Sequence, residues 1–65
     1  MVELCESDWK YRFTKRLATL FMLSGVKAEA AIADAEAHAN DYFPHRGTGE
    51  PEQEANKVHD WAREV

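Results

Sequence analysis

Between Gly25 and Pro44 the chain runs without a glycine or proline, and seven of the twelve residues 28–39 are alanine. Alanine is the best helix former and has no side-chain entropy to lose, so this stretch reads as a helix over about Lys27 to Tyr42. Its small residues fall on two sides. Ala28, Ala31, Ile32, Ala35, Ala39, Tyr42 and Phe43 follow the three- and four-residue spacing of one apolar stripe, whereas Ala30, Ala33 and Ala37 lie nearly opposite. The first stripe suits a core. The second permits close approach of another helix, so this element can be packed twice.

The flanking segments also read as helices. Ser7 is a good N-cap, and Trp9, Phe13, Leu17, Leu20 and Phe21 repeat at helical spacing behind it, which predicts a helix from Asp8 to Ser24. Gly25 then stands where a helix C-terminus wants a residue tolerant of positive φ, making a tight corner. Residues 44–50 concentrate breakers and form a longer loop. Pro51 suits the first position of a third helix, residues 51–64, with Glu52 and Glu54 complementing the positive end of its dipole. Ala55, Val58, Ala62 and Val65 form its apolar stripe, with Trp61 beside them. The expectation is one all-α domain over residues 1–65, a small three-helix bundle whose aromatic core comes mainly from helix 1 and the ends of helices 2 and 3.

A chain of 65 residues buries only about 60% of its unfolded surface and retains about 3–5 kcal/mol of net stability. A single cysteine, Cys5, excludes an internal disulfide framework. An efficient helical core or self-association must serve instead. Hydrophobic content of 45% against 31% charged residues is richer than disorder allows, so a folded chain is expected. Charge is unevenly spread: residues 1–27 hold five Lys/Arg against three Asp/Glu, or +2, and residues 28–65 hold three against nine, or −6. The two halves should therefore attract. The N-terminal segment carries Glu3, Glu6 and Asp8 where an export signal needs positive charge, and the apolar run Leu20-Phe21-Met22-Leu23 falls far short of the ~20 residues that span a bilayer. A cytoplasmic protein with Cys5 as a free, buried or unreactive thiol follows.

Candidate chemistry is sparse. The corner Leu23-Ser24-Gly25-Val26-Lys27 is shaped like a helix-turn-helix, but the second helix carries Glu29, Asp34, Glu36 and Asp41 and no cation, which phosphates would repel. Arg12, Lys15 and Arg16, with Thr19, share one face of helix 1. They are the candidate nucleic-acid contacts, unless they pair with carboxylates of a neighbouring helix. His38 lies between Asp34 at i−4 and Asp41 at i+3, an arrangement that favours the protonated ring; His45 and His59 sit at no recognised ligand spacing, so no metal site is assigned. Nothing pairs Cys5 or a serine with a base and an oxyanion pocket, so no catalytic residue and no cofactor are assigned and an enzyme is not expected. Trp9 belongs to the main stripe and reads as core. Trp61, at the edge of its stripe, reads as partly open to solvent or a partner. Tyr11, Ala18 and Met22 make a minor apolar patch on the back of helix 1.

The pattern Phe13-x-x-Arg16-Leu17, the Gly25 corner and the closing Pro51-Glu52-x-x-Ala55…Trp61 resemble short uncharacterised helical proteins of bacterial phages and mobile elements. That resemblance implies a regulatory or host-interacting protein and no particular activity. The expected function is a protein-interaction module acting by helix-face contacts and self-associating, with Ala30, Ala33, Ala37, Tyr11, Met22 and Trp61 as contact residues. Two readings stand behind it: weak nucleic-acid binding through Arg12, Lys15 and Arg16, and imitation of nucleic acid by the acidic residues of helix 2.

Overall fold

In the computed structural model, which describes residues 5–46 and 49–63, three helices form one bundle: α1 (Glu6–Leu23), α2 (Ala28–Tyr42) and α3 (Pro51–Arg63). Described residues contain no strand. Loop residues Gly47 and Thr48, the side chain of Ala62, and Val65 lie outside the description.

Helix α1 begins two residues earlier than its sequence suggests. Ser7 is inside the first turn, and Cys5 takes the cap position with extended backbone, its carbonyl accepting the Trp9 N–H at 2.9 Å. Glu6 and Asp8 then face the positive helix end, and Glu6 pairs with Lys10 at 2.6 Å one turn on, which favours the earlier start. The far end closes as expected. Gly25 adopts φ 103°, the Val26 N–H reaches the Phe21 carbonyl, and the Gly25 N–H reaches that of Met22, both at 3.0 Å. At the start of α3, Pro51 holds the first position and the Gln53 side chain accepts the Glu50 N–H at 3.2 Å, one half of a capping box. After α2 a single 3₁₀ turn, Phe43–His45, contains Pro44, whose ring cannot continue the helix.

Helix α1 is the hub, packing on both α2 and α3, while α2 and α3 share no comparable contact with each other. The core is built from Trp9, Phe13, Leu17 and Ala18 of α1, Ala31, Ala35 and Ala39 of α2, and Ala55 and Val58 of α3. Phe21, Tyr42 and Phe43 are partly buried against it. Large side chains on α1 thus meet alanines on α2. Trp9 stacks on Phe13 at 5.0 Å between centroids, Phe13 on Tyr42 at 5.6 Å, and Phe43 meets Trp9 edge-on at 5.4 Å.

Two members of the expected α2 stripe are outside the core. Ala28 and Ile32 are exposed, because the buried line runs through Ala31, Ala35 and Ala39, and Ile32 stands about 100° around the helix from Ala31. Conversely, Ala18 is buried, so of the apolar patch expected on the back of α1 only Tyr11 and Met22 are open.

Phe13 is fully buried, and Phe13→Ala is expected to cost about 3–5 kcal/mol, comparable to the whole stability of a chain this size. Far-ultraviolet circular dichroism should show a largely unfolded variant. Gly25→Ala meets no neighbouring atom, so its expected loss of about 1–2 kcal/mol is purely the cost of positive φ for an L side chain; a chemical-denaturation midpoint measures it.

Candidate interaction site

Arg12 and Arg16 of the α1 basic face reach toward α3. Arg12 Nε donates to Glu52 Oε2 at 2.8 Å and its Nη2 to Glu52 Oε1 at 2.7 Å, a bidentate fork, with Glu50 a further partner at 3.1 Å. The hydrogen bond to Glu52 raises the Arg12 pKa, and the same bond lowers that of the Glu52 carboxyl. Arg16 Nε donates to Asn56 Oδ1 at 3.0 Å. Of the three candidate nucleic-acid contacts only Lys15 is exposed with no such partner among the described residues. The opposed charge of the two halves of the chain is therefore used inside the fold, where Arg12 ties α1 to the start of α3.

A second polar tie lies deeper. Glu54 is 1% exposed, accepts the Tyr42 hydroxyl at 2.6 Å on Oε1, and pairs through Oε2 with Lys57 at 3.1 Å. A Cβ added at Gly49 would fall 2.9 Å from Glu54 Oε2, so the loop approaches this carboxylate as closely as only glycine allows. Burial, and then the Glu54 carboxylate, push the Tyr42 phenol up to about 12. The spacing of Pro51, Glu54, Ala55 and Val58 is itself helical (i, i+3, i+4, i+7), so the sequence carried a signal for the burial of Glu54 that its charge concealed.

His59 is also buried, against the aliphatic and aromatic end of α1. The Ser24 hydroxyl donates to the Leu20 carbonyl at 3.1 Å, so its oxygen is left to accept from His59 Nε2 at 3.2 Å. Phe21 lies between the two histidines of the neighbouring helices, its centroid 5.8 Å from that of His59 and 6.0 Å from that of His38. His38 thus meets an aromatic ring, and no hydrogen bond or ion pair joins it to Asp34 or Asp41 among the described residues. No three His, Cys, Asp or Glu residues come together to hold a metal among the described residues. Of the two expected states of the Cys5 thiol, buried or unreactive, burial is excluded: it is exposed and donates to Asp8 Oδ2 at 3.2 Å, because the helix begins at Glu6 and leaves Cys5 on its outer end.

The apolar surface is where this chain departs from a self-contained bundle. Tyr11 is 66% exposed, Ile32 45%, Met22 41% and Trp61 58%, and Leu23 and Val26 at the corner are exposed as well. Ala30, Ala33 and Ala37 are exposed on the outer side of α2, uncovered by the chain's own helices. Trp61 rests one side of its ring on Tyr42, centroids 6.3 Å apart. Tyr11 and Ile32 face a groove of about 480 Å³ between α1 and α2, with Thr14 and Ala39 lining it and Glu36 at its α2 edge. Ile32 was assigned to the core, so its place in this groove is a finding of the fold. Among the described residues no helix is long and apolar enough to cross a membrane. No family model matches the chain, and no curated protein or solved structure is significantly similar to it.

Tyr42→Phe keeps the ring stack and removes a donor from a buried carboxylate, so a loss of about 1–3 kcal/mol is expected at neutral pH. The wild type should in addition lose stability as pH rises from 10 toward about 12. In that window the unfolded phenol, with its ordinary value of 10, has ionised while the folded one still holds its proton. Urea denaturation of both proteins at neutral and alkaline pH checks this, and an equal alkaline loss in the two would refute it.

Proposed function

We propose that this protein is an interaction module that works by helix-face contact with protein, including a second copy of itself, and not by catalysis. The observation that carries the reading is the exposure of Tyr11, Met22, Leu23, Val26, Ile32 and Trp61 in a chain whose buried core, among the described residues, is built from only nine hydrophobic residues. Isolated exposed apolar residues are ordinary, but a set this size on so small a fold is the mark of a contact surface. Tyr and Trp add weight, being enriched where interfaces concentrate their binding energy. The outer alanines Ala30, Ala33 and Ala37 would let a partner helix come close on the other side of α2. Resemblance to small phage and mobile-element proteins points toward the same regulatory or host-directed role in a bacterial cytoplasm, where an exposed thiol such as Cys5 stays reduced.

Nucleic-acid binding ranks second, because engaging phosphates through Arg12 would require breaking its fork with Glu52.

Sedimentation of the full chain from micromolar to near-millimolar concentration tests the proposal. The expected result is a mass rising above the 7.4 kDa of the single chain. A sharp monomer throughout would remove self-association from the reading.

A further inference from the structure

We infer that the groove between α1 and α2 is the dimerisation surface, and that its occupant is the same face of a second copy of this chain, related by a two-fold axis running along the helical hairpin. This rests on the interaction reading above and specifies its surface. The groove has an apolar floor and two large exposed side chains, Tyr11 on α1 and Ile32 on α2. Lys10 on its α1 wall is held by Glu6 at 2.6 Å, and beside the groove the two helices carry opposite charge. Lys15 follows Tyr11 by one turn on α1, and Glu36 follows Ile32 by one turn on α2. Both are exposed, and neither has an ion-pair partner among the described residues.

A surface with a cation on one helix and a carboxylate on the other is complementary to itself. In a two-fold contact, residue i of one copy meets residue j of the other and the reverse holds too. Rotation about an axis parallel to the hairpin lays α1 of each copy antiparallel over α2 of the other. The two helices run antiparallel from the Gly25 corner, so counting back from Leu23 and forward from Ala28 sets Lys15 at the level of Glu36, and the rotation brings each Lys15 to the partner's Glu36. The same rotation sets the partner's Ile32 over the C-terminal half of α1, near the level of Thr19 and within a turn of the exposed Met22. Two apolar contacts and two ion pairs then form in one register. The outer face of α2, by contrast, carries Glu29, Asp34 and Asp41 around its alanines with no cation, so a second copy placed there would meet like charge. A standard interface needs about 800 Å² from each partner, a modest share of the 4767 Å² this chain exposes.

The test is sedimentation of the full chain with five variants, each checked for helicity by circular dichroism. The substituted side chains are exposed, so the fold should survive. Wild type is expected to form a dimer of twice 7.4 kDa. Ile32→Glu should weaken it by about tenfold or more. Lys15→Glu and Glu36→Lys should each weaken it by roughly fivefold, since each places like charges together, and the double variant Lys15→Glu/Glu36→Lys should restore wild-type association. A dimer indifferent to Ile32→Glu, or a double variant no better than its two parents, overturns the groove while leaving self-association standing. Dissociation by Ala33→Glu with no effect of Ile32→Glu moves the contact to the outer face of α2 and likewise overturns this proposal alone. A wild type that is monomeric at every concentration overturns the groove and self-association together.

Discussion

Everything in this fold depends on the contact between large side chains of α1 and small ones of α2. Trp9, Phe13 and Leu17 need space, and Ala31, Ala35 and Ala39 provide it by keeping the α2 backbone close. Packing density in a protein interior is that of an organic crystal, so a row of large residues is well served only by a row of small ones opposite. Tyr42 and Phe43 then appear where the alanines stop, closing the open end of the row with aromatic stacking. The arrangement makes α1 the common support, with its neighbours resting on it and hardly on each other. One consequence is that the flanks of α2 remain open on both sides.

Helix α3 is held by different means. Its buried apolar contribution in the described region is Ala55 and Val58 with Pro51, too little to set an orientation by volume alone. Polar ties supply direction: Arg12 to Glu50 and Glu52 near its start, Arg16 to Asn56, Ser24 to His59, and Tyr42 to Glu54. These contacts advance in the same order along α1 and α3, so the two helices run parallel, as an up-down-up bundle requires. A buried carboxylate is costly unless its oxygens are met by donors, and Glu54 is met by the Tyr42 phenol and the Lys57 ammonium. What the carboxylate adds is a unique register for α3 more than net stability, because any slip of that helix would strand it.

The helices, their order and the Gly25 corner were legible in the sequence, since each rests on local rules: alanine propensity, apolar spacing, and the need for a residue free at positive φ. Trp9 as core and Trp61 as partly open were legible for the same reason. Ile32 was not. Its size argued for burial, and only the rotational setting of α2 on α1 places it outside, a tertiary fact that no window of sequence contains. Glu54 and His59 were missed because charge and titratability argue for the surface, whereas the partners that make burial tolerable, Tyr42 and Ser24, lie 12 and 35 positions away. Arg12 illustrates the converse: the basic face it forms with Lys15 and Arg16 was visible, but that two of its three members are engaged by α3 depends on the packing of helices distant in sequence.

A support of this kind ties stability to association. A monomer this small keeps only a few kcal/mol in hand, and it exposes apolar groups that a larger domain would have buried with a fourth helix. A partner bound at the α1–α2 groove would act as that missing layer, covering Ile32 and Tyr11 and reinforcing the two helices that carry most of the core. Because such a partner binds the folded chain and not the unfolded one, it stabilises the fold by mass action, and the effect grows with concentration. Folding and assembly would then be thermodynamically linked, so that loss of core volume at Phe13 weakens association without touching the surface, and loss of surface at Ile32 lowers apparent stability without touching the core.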